Sequence, residues 1–425
     1  MSFPKLILSL VSLLTVALFS TNSWSCTGLQ LKAKDGAYIN GRTVEFGAPI
    51  LISGMVVPRN YEFKGTLPDG SAGLVYKAKY AAIGGTTYDT PALVDGLNEK
   101  GLSAAAFYFP DYASYATITD QNKNHALSPV EFTNWLLTQF ANVDEVRGGL
   151  KSVVIAPTSP SGWAGVPPFH YIVYDKSGKS IVIEPINGQL KVSNNPIGVF
   201  TNSPTFDWQI TNLSNYINLS PINAPAKTID GLKLKQFGQG SGLHGLPGDF
   251  TPPSRFVRAA LFATIASSPA TADKAVLKLF HILNQFDIPV GAVKSVNQGD
   301  VSVDYTLATT VKDPKNLKYY FRTYDDQTIK VINMNALDLN ANNLKMIAMQ
   351  GSQPIVDVTA TATTQTPTSP TPTPAPTSAP TPTSTLAPTS NQTAGATTAP
   401  VTATQTTTES PEAASVAPLQ PAPGQ

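Results

Sequence analysis

Beyond Lys345 the chain contains no lysine or arginine, and from about Ser352 to Gln425 it has no aromatic residue. That stretch consists mainly of Thr, Pro, Ala and Ser, most densely from Pro367 to Pro382. Such a segment cannot bury enough apolar surface to offset the entropy lost on ordering it, so a disordered or polyproline-II-like tail is expected over 351–425. A stalk or O-glycosylated spacer and an inert extension both fit this composition. Folding is thereby confined to the residues before the tail, which are ample for a hydrophobic core.

The other end of the chain is also set apart. Lys5 precedes an apolar run from Leu6 to Phe19, too short to span a bilayer comfortably, and a polar stretch ends in Ser23-Trp24-Ser25. This is the pattern of an export signal over residues 1–25, with small residues at Ser23 and Ser25 where a signal peptidase requires them. The expected cut lies between Ser25 and Cys26, delivering the protein to the periplasm, the cell surface or the medium with no membrane span. A lipoprotein signal would instead acylate Cys26, but Trp24 is a poor match to its small-residue box. Cys26 is the only cysteine, so no internal disulfide can form. A lone thiol in an oxidising compartment is a liability, and its place at the cleavage point favours chemistry over packing.

Lys and Arg total 29 against 28 Asp and Glu, which gives no electrostatic reason to expect nucleic acid or an anionic membrane as partner. His125, His170, His244 and His281 show no ligand spacing, so neither a metal nor another cofactor is expected.

Residues 26–350 carry globular patterning. Leu29 to Lys32 alternates, Asp35-Gly36 marks a turn, and Ala37 to Phe46 resumes as a second strand. Further strands are predicted at Leu74–Ile83, Leu102–Phe109, Tyr171–Tyr174 and Ile181–Ile183, then Val303–Val311, Lys318–Tyr324 and Ile329–Ile332. A capping box at Ser128-Pro129-Val130-Glu131 predicts a helix over Phe132–Phe140; Ser254 is expected to cap Arg255–Ala266, and Thr271–Phe286 has helical apolar spacing. Strands, then helices, then strands imply an α+β fold of antiparallel sheets covered by helices.

A cysteine at a free N-terminus carries nucleophile and base in one residue, because its α-amine titrates at roughly 7.7–8.0 and can accept the thiol proton. A Cys/His pair of papain type would instead want the thiol at a helix start, whereas Cys26 precedes a strand. Arg42 and Glu45 form a charged pair inside an otherwise apolar strand. Beside Cys26 the guanidinium would favour thiolate and the carboxylate would hold the α-ammonium, although a three-residue offset requires a bulge or a strand end near Thr43. Asn202 stands at a strand-to-turn junction, where a carboxamide either caps the turn or donates to an oxyanion. Arg255 follows a long Gly/Pro-rich loop at a helix start, where the macrodipole opposes a cation, so it needs a partner elsewhere.

Together, Cys26-Thr27-Gly28-Leu29, Gly41-Arg42, Asp95 to Leu102, Thr201 to Trp208 and Gly245 to Arg258 resemble the choloylglycine hydrolase family. This family of Ntn hydrolases includes bile salt hydrolases and penicillin V acylases. The resemblance implies a four-layer αββα sandwich, Cys26 as nucleophile with its α-amine as base, Arg42 near the thiol, Asn202 donating to the oxyanion and Arg255 as the second arginine. Glu45 takes the place of the family's usual Asp, which keeps the charge but moves it by a methylene. Tyr108 takes the place of the usual Asn of bile salt hydrolases, leaving its backbone N–H for the oxyanion and tilting the pocket toward penicillin V acylases. Phe107, Tyr108 and Phe109 could line an apolar acyl pocket. The implied partner is a small N-acyl amide: a conjugated bile salt, penicillin V or an N-acyl homoserine lactone. A homo-oligomer, tetrameric by resemblance, is also implied. The different-class alternative is a non-catalytic binding domain on a Pro/Thr stalk.

Overall fold

The chain enters as a hairpin. Strand Gly28–Lys32 pairs antiparallel with Tyr38–Phe46, and the reversal falls on Asp35-Gly36, where Gly36 takes φ 83° and Asp35 Oδ1 accepts the Ala37 N–H. The computed structural model describes residues 25–47, 52–87, 90–160, 163, 165–297 and 300–361. Residues 1–24 of the expected export signal and the tail beyond Thr361 therefore lie outside the described residues.

The hairpin forms one edge of a sheet that continues through the long strand Asp300–Asp313 to Lys318–Thr323 and Lys330–Asn333, with Val293–Asn297 folded back on Asp300–Asp313. A second antiparallel sheet runs in the order Gln189–Asn194, Ser180–Ile186, Phe169–Asp175, Leu102–Tyr108, Leu93–Asn98, Ala82–Thr87, Ile52–Val57 and Lys345–Ala348. Helices Pro252–Ile265 and Ala272–Leu283 cover the first sheet, and Phe132–Gln139 covers the second at Leu93–Asn98 and Leu102–Tyr108. The layers are helix, sheet, sheet, helix: the expected αββα sandwich. Among the described residues no helix is long and apolar enough to cross a membrane.

The periodicity of helix Ala272–Leu283 explains its seat. Ala272, Ala275, Val276, Leu279, Phe280 and Leu283 are all buried at spacings of three and four, and the Thr271 side chain caps the first turn by accepting from Lys274 N–H. Each large apolar side chain buried on that stripe contributes about 1.5–3 kcal/mol.

Three expectations need correction. Leu74–Ile83 is not one strand: Ala72–Lys77 pairs with Glu62–Thr66, and Ala82–Thr87 enters the second sheet. The break falls where Ala78 N–H turns to Tyr61 O and Tyr80 N–H to Thr138 O. The glycines that follow permit close pairing, since a Cβ on Gly84 would lie 1.9 Å from Asp95 O. The capping box is only half formed: Glu131 Oε2 accepts the Ser128 N–H at 2.8 Å, but Ser128 Oγ has no partner and the helix is not capped by a side chain. Finally, Ser254 does not cap; the helix starts at Pro252, and two prolines in the first turn use positions that lack N–H partners anyway.

The chain divides after Val356. In the first unit Gln350 and Gln353 still hydrogen-bond to Ile52 O and Asp325 O. In the second unit the described residues end in a short turn at Thr359–Thr361, with Asp357 Oδ1 accepting the Thr359 N–H at 2.8 Å.

Candidate active site

Cys26 is fully buried just before strand Gly28–Lys32, and three distant segments converge on it. Register brings the first: Gly28 lies opposite Arg42, and Arg42 Nη2 reaches Cys26 Sγ at 2.7 Å. The same guanidinium donates to Ala106 O and Thr43 O and lies 4.0 Å from the centre of the Phe107 ring, so its orientation is fixed from several sides. On the opposite flank Gly28 and Phe200 exchange two backbone hydrogen bonds of 2.8 and 2.9 Å, which carries Asn202 to the site. Glycine is required there, because a Cβ would lie 2.9 Å from Phe107 Cζ. Asn202 Oδ1 accepts the Cys26 N–H at 2.8 Å.

Arg255 comes from the first turn of helix Pro252–Ile265, where the dipole opposes it. The compensation is four acceptors: Phe250 O, Cys26 O, Thr27 Oγ1 and Asn202 Oδ1. The partner that its sequence position called for is thus the Cys26 segment itself.

Arg42 and Glu45 both reach Cys26, by different routes. Strand alternation sends Thr43 and Glu45 to one face and Arg42 to the other. The bulge lies across from them in Asp300–Asp313, between Thr306 and Ala308. Arg42 therefore meets the thiol with its side chain, whereas Glu45 meets it with its backbone N–H. The Glu45 carboxylate does not hold the Cys26 nitrogen, which is the amide to Ser25; it accepts from Thr306 Oγ1 at 3.0 Å, and its Oε2 has no partner. Asn202 Nδ2 spends one of its two hydrogens on Tyr108 O at 2.8 Å, which places the two expected oxyanion donors side by side.

Burial dominates the electrostatics. It pushes the Cys26 thiol up, against the pull of Arg42. It raises Glu45 from 4.5 to about 8, opposed chiefly by Arg255, and lowers Arg255 to about 10, opposed by Glu45. With its nitrogen in the amide to Ser25, the Cys26 thiol therefore keeps its proton.

Of the three aromatics expected at an acyl pocket, Phe107 and Phe109 are core residues. Phe107 packs on Phe200 and Arg42, and Phe109 stacks on His170 at 4.1 Å; Tyr108 alone is partly exposed. Alternation along the strand turns Tyr108 away from its two neighbours. His170 is not a partner of Cys26: it is buried, its Nε2 meets Thr201 O at 3.0 Å, and desolvation lowers its pKa. Thr27, Thr43 and Thr306 were assigned no role in the site by the sequence reading. Threonines are ordinary in strands, and no local signal separates these from the rest.

The profile of the linear amide C–N hydrolases, choloylglycine hydrolase family, matches residues 26–347. Bile salt hydrolase/transferase of Clostridium perfringens is 37% identical over 324 residues, covering 75% of this chain and 95% of that one. Penicillin V acylase of Pectobacterium atrosepticum is 26% identical over 335 residues, covering 74% and 82%. A solved variant of conjugated bile acid hydrolase from Clostridium perfringens matches with a TM-score of 0.71 at 34% identity, over 78% of this chain and 100% of that one. The chain belongs to the choloylglycine hydrolase family and is a linear amide C–N hydrolase.

Proposed function

We propose that Cys26 is the nucleophile of an exported N-acyl amide hydrolase, and that it becomes the first residue of the mature chain when the bond to Ser25 is cut. The freed α-amine takes the thiol proton, and Sγ adds to the amide carbonyl. The Tyr108 N–H and the second hydrogen of Asn202 Nδ2 donate to the oxyanion. Collapse breaks the C–N bond, and the leaving amine receives the proton held by the α-ammonium. Water, deprotonated by the same amine, then resolves the thioester to a carboxylic acid. The observation that carries this reading is the convergence on one residue: Arg42 on Sγ, Asn202 on the nitrogen and Arg255 on the carbonyl of Cys26.

Conjugated bile salts are the first substrate class in this proposal, ahead of penicillin V and N-acyl homoserine lactones. Tyr108 alone favours penicillin V, but 37% identity to a bile salt hydrolase/transferase against 26% to a penicillin V acylase outweighs one position. The test joins N-terminal sequencing of the mature protein to amine release from the three amides. We expect Cys26 at the terminus, turnover of at least one amide, and a loss of about 10⁴-fold or more in Cys26→Ala. Retained turnover in that variant, or a mature terminus elsewhere, overturns the assignment.

We also propose a homo-oligomer. The hairpin of Lys227–Ile229 and Leu232–Leu234 exposes Ile229, Leu232 and Leu234, with Phe237 just beyond, an apolar surface suited to cover by a second copy. Sedimentation of wild type and Phe237→Ser tests it; a wild-type monomer would dismiss it.

A further inference from the structure

Glu45 is gripped at one oxygen and unpartnered at the other, and the grip has a fixed direction. Ile288 N–H donates to Thr306 Oγ1 at 2.9 Å, and a backbone N–H can only donate. The Thr306 hydroxyl hydrogen must therefore point elsewhere, and its acceptor is Glu45 Oε1 at 3.0 Å. Thr306 itself is held in place: its N–H returns to Ile288 O at 3.2 Å, it sits opposite Glu45 in the register, and the bulge follows immediately. Thr43, on the same strand face as Glu45, also favours its ionised form, and its Oγ1 accepts the Thr27 N–H at 3.2 Å.

We infer that Thr306 is a positioning residue for hydrolysis: its hydroxyl, oriented by the Ile288 N–H, keeps Glu45 Oε1 an acceptor and leaves Oε2 to the nitrogen freed at Cys26. This rests on the nucleophile reading above. In the uncut chain that nitrogen is an amide, satisfied by Asn202, and Oε2 is buried with no partner. Cutting converts the amide into an ammonium that needs a further acceptor, and a carboxylate that cannot rotate presents one without reorganisation. A glutamate has more freedom than the shorter aspartate, so this chain has more need of such a restraint.

The charged or titratable groups that act on Glu45 are Arg255 on helix Pro252–Ile265, Arg42 on its own strand, and Cys26. Beyond Thr306 lie Asp304, on the same strand face, and Asp287, which pairs with Arg322 at 2.9 Å and lines a cavity of about 170 Å³ that also touches Thr306. Removing the Thr306 hydroxyl takes a donor from the ionised form of Glu45, so the carboxyl titrates higher.

The experiment compares mature wild type, Thr306→Val, Thr306→Ser and Asp287→Asn with the N-acyl amide that wild type turns over, across roughly pH 4 to 9. Thr306→Val is expected to lower kcat roughly 10- to 100-fold with KM within about threefold, and to move the acid limb upward by about half to one pH unit. Thr306→Ser restores both, and Asp287→Asn leaves the limb in place. An unmoved limb in Thr306→Val, a loss that only tracks the folded fraction, no restoration by Ser, or a limb that follows Asp287 overturns the inference. Should Thr306→Val fail to fold, Thr306→Ala against Thr306→Ser makes the same comparison. A dead Cys26→Ala beside an unaltered Thr306→Val sinks only this inference, whereas an active Cys26→Ala sinks the nucleophile reading beneath it.

Discussion

Two ionic clusters are buried along strand Asp300–Asp313, at neighbouring positions. Thr310 lies opposite Arg42 in the register, yet the two side chains serve different clusters. In the inter-sheet cluster Asp95 Oδ2 accepts from Thr310 Oγ1 at 2.6 Å and from Lys312 Nζ, while Oδ1 accepts from Tyr319 OH at 2.7 Å. Burial pushes the Asp95 carboxyl up, but Lys312 and Arg42 overrule it and leave it below the ordinary value. At the Cys26 cluster burial wins: the thiol and Glu45 are both raised, and Glu45 Oε2 is unpartnered. Both clusters are buried charge, so burial of charge does not identify a reactive site. What separates the two is incomplete satisfaction: Asp95 is bonded at both oxygens, whereas Glu45 Oε2 beside the thiol is not.

Breaking the satisfied cluster should have the largest effect. Lys312→Met strands Asp95 without its cation and is expected to cost about 3–5 kcal/mol of stability in urea unfolding, while the folded fraction keeps kcat within severalfold. A catalytic loss without a stability loss would erase the distinction. Arg42→Gln sharpens it from the other side. It removes the cation on Cys26 Sγ and is expected to lower kcat by roughly 10²- to 10³-fold, with a smaller change in the urea midpoint than Lys312→Met shows.

The smallest effect is the most diagnostic, and it is read on a chain that retains Ser25. Glu45 sits near 8 in the fold against an ordinary 4.5, so between those values the folded chain holds a proton that the unfolded chain has released. Its contribution to stability is whole below about 4.5 and is lost as pH rises through about 8. Glu45→Gln cannot titrate, and its stability relative to wild type should therefore rise by about 1–3 kcal/mol across that window. A gap that stays constant with pH would place Glu45 with the satisfied carboxylates.

Much of the Cys26 cluster was legible because it is written locally. The hairpin, its Asp35-Gly36 turn and the offset that lays Arg42 near Cys26 follow from alternation and turn chemistry, and Arg255 announced itself by a charge in the wrong half of a helix. The inter-sheet cluster was not legible. Asp95 and Lys312 stand 217 positions apart, and Glu45 and Thr306 stand 261 apart, so neither pairing leaves a periodic trace. Nor could alternation alone say which of Phe107 and Tyr108 faces the core, since both are aromatic and the answer depends on which sheet face is covered. Leu74–Ile83 was misread for a related reason: the partner strands that divide it are remote, and nothing local marks how closely Gly84 approaches Asp95.

Asn202 and Arg255 hold residue 26 by its main-chain nitrogen and oxygen, not by its sulfur. The cradle is indifferent to what hangs from the α-carbon. An alanine at that position should leave an intact but inert receptor, in which an uncleaved amide can be soaked and its acyl orientation seen directly.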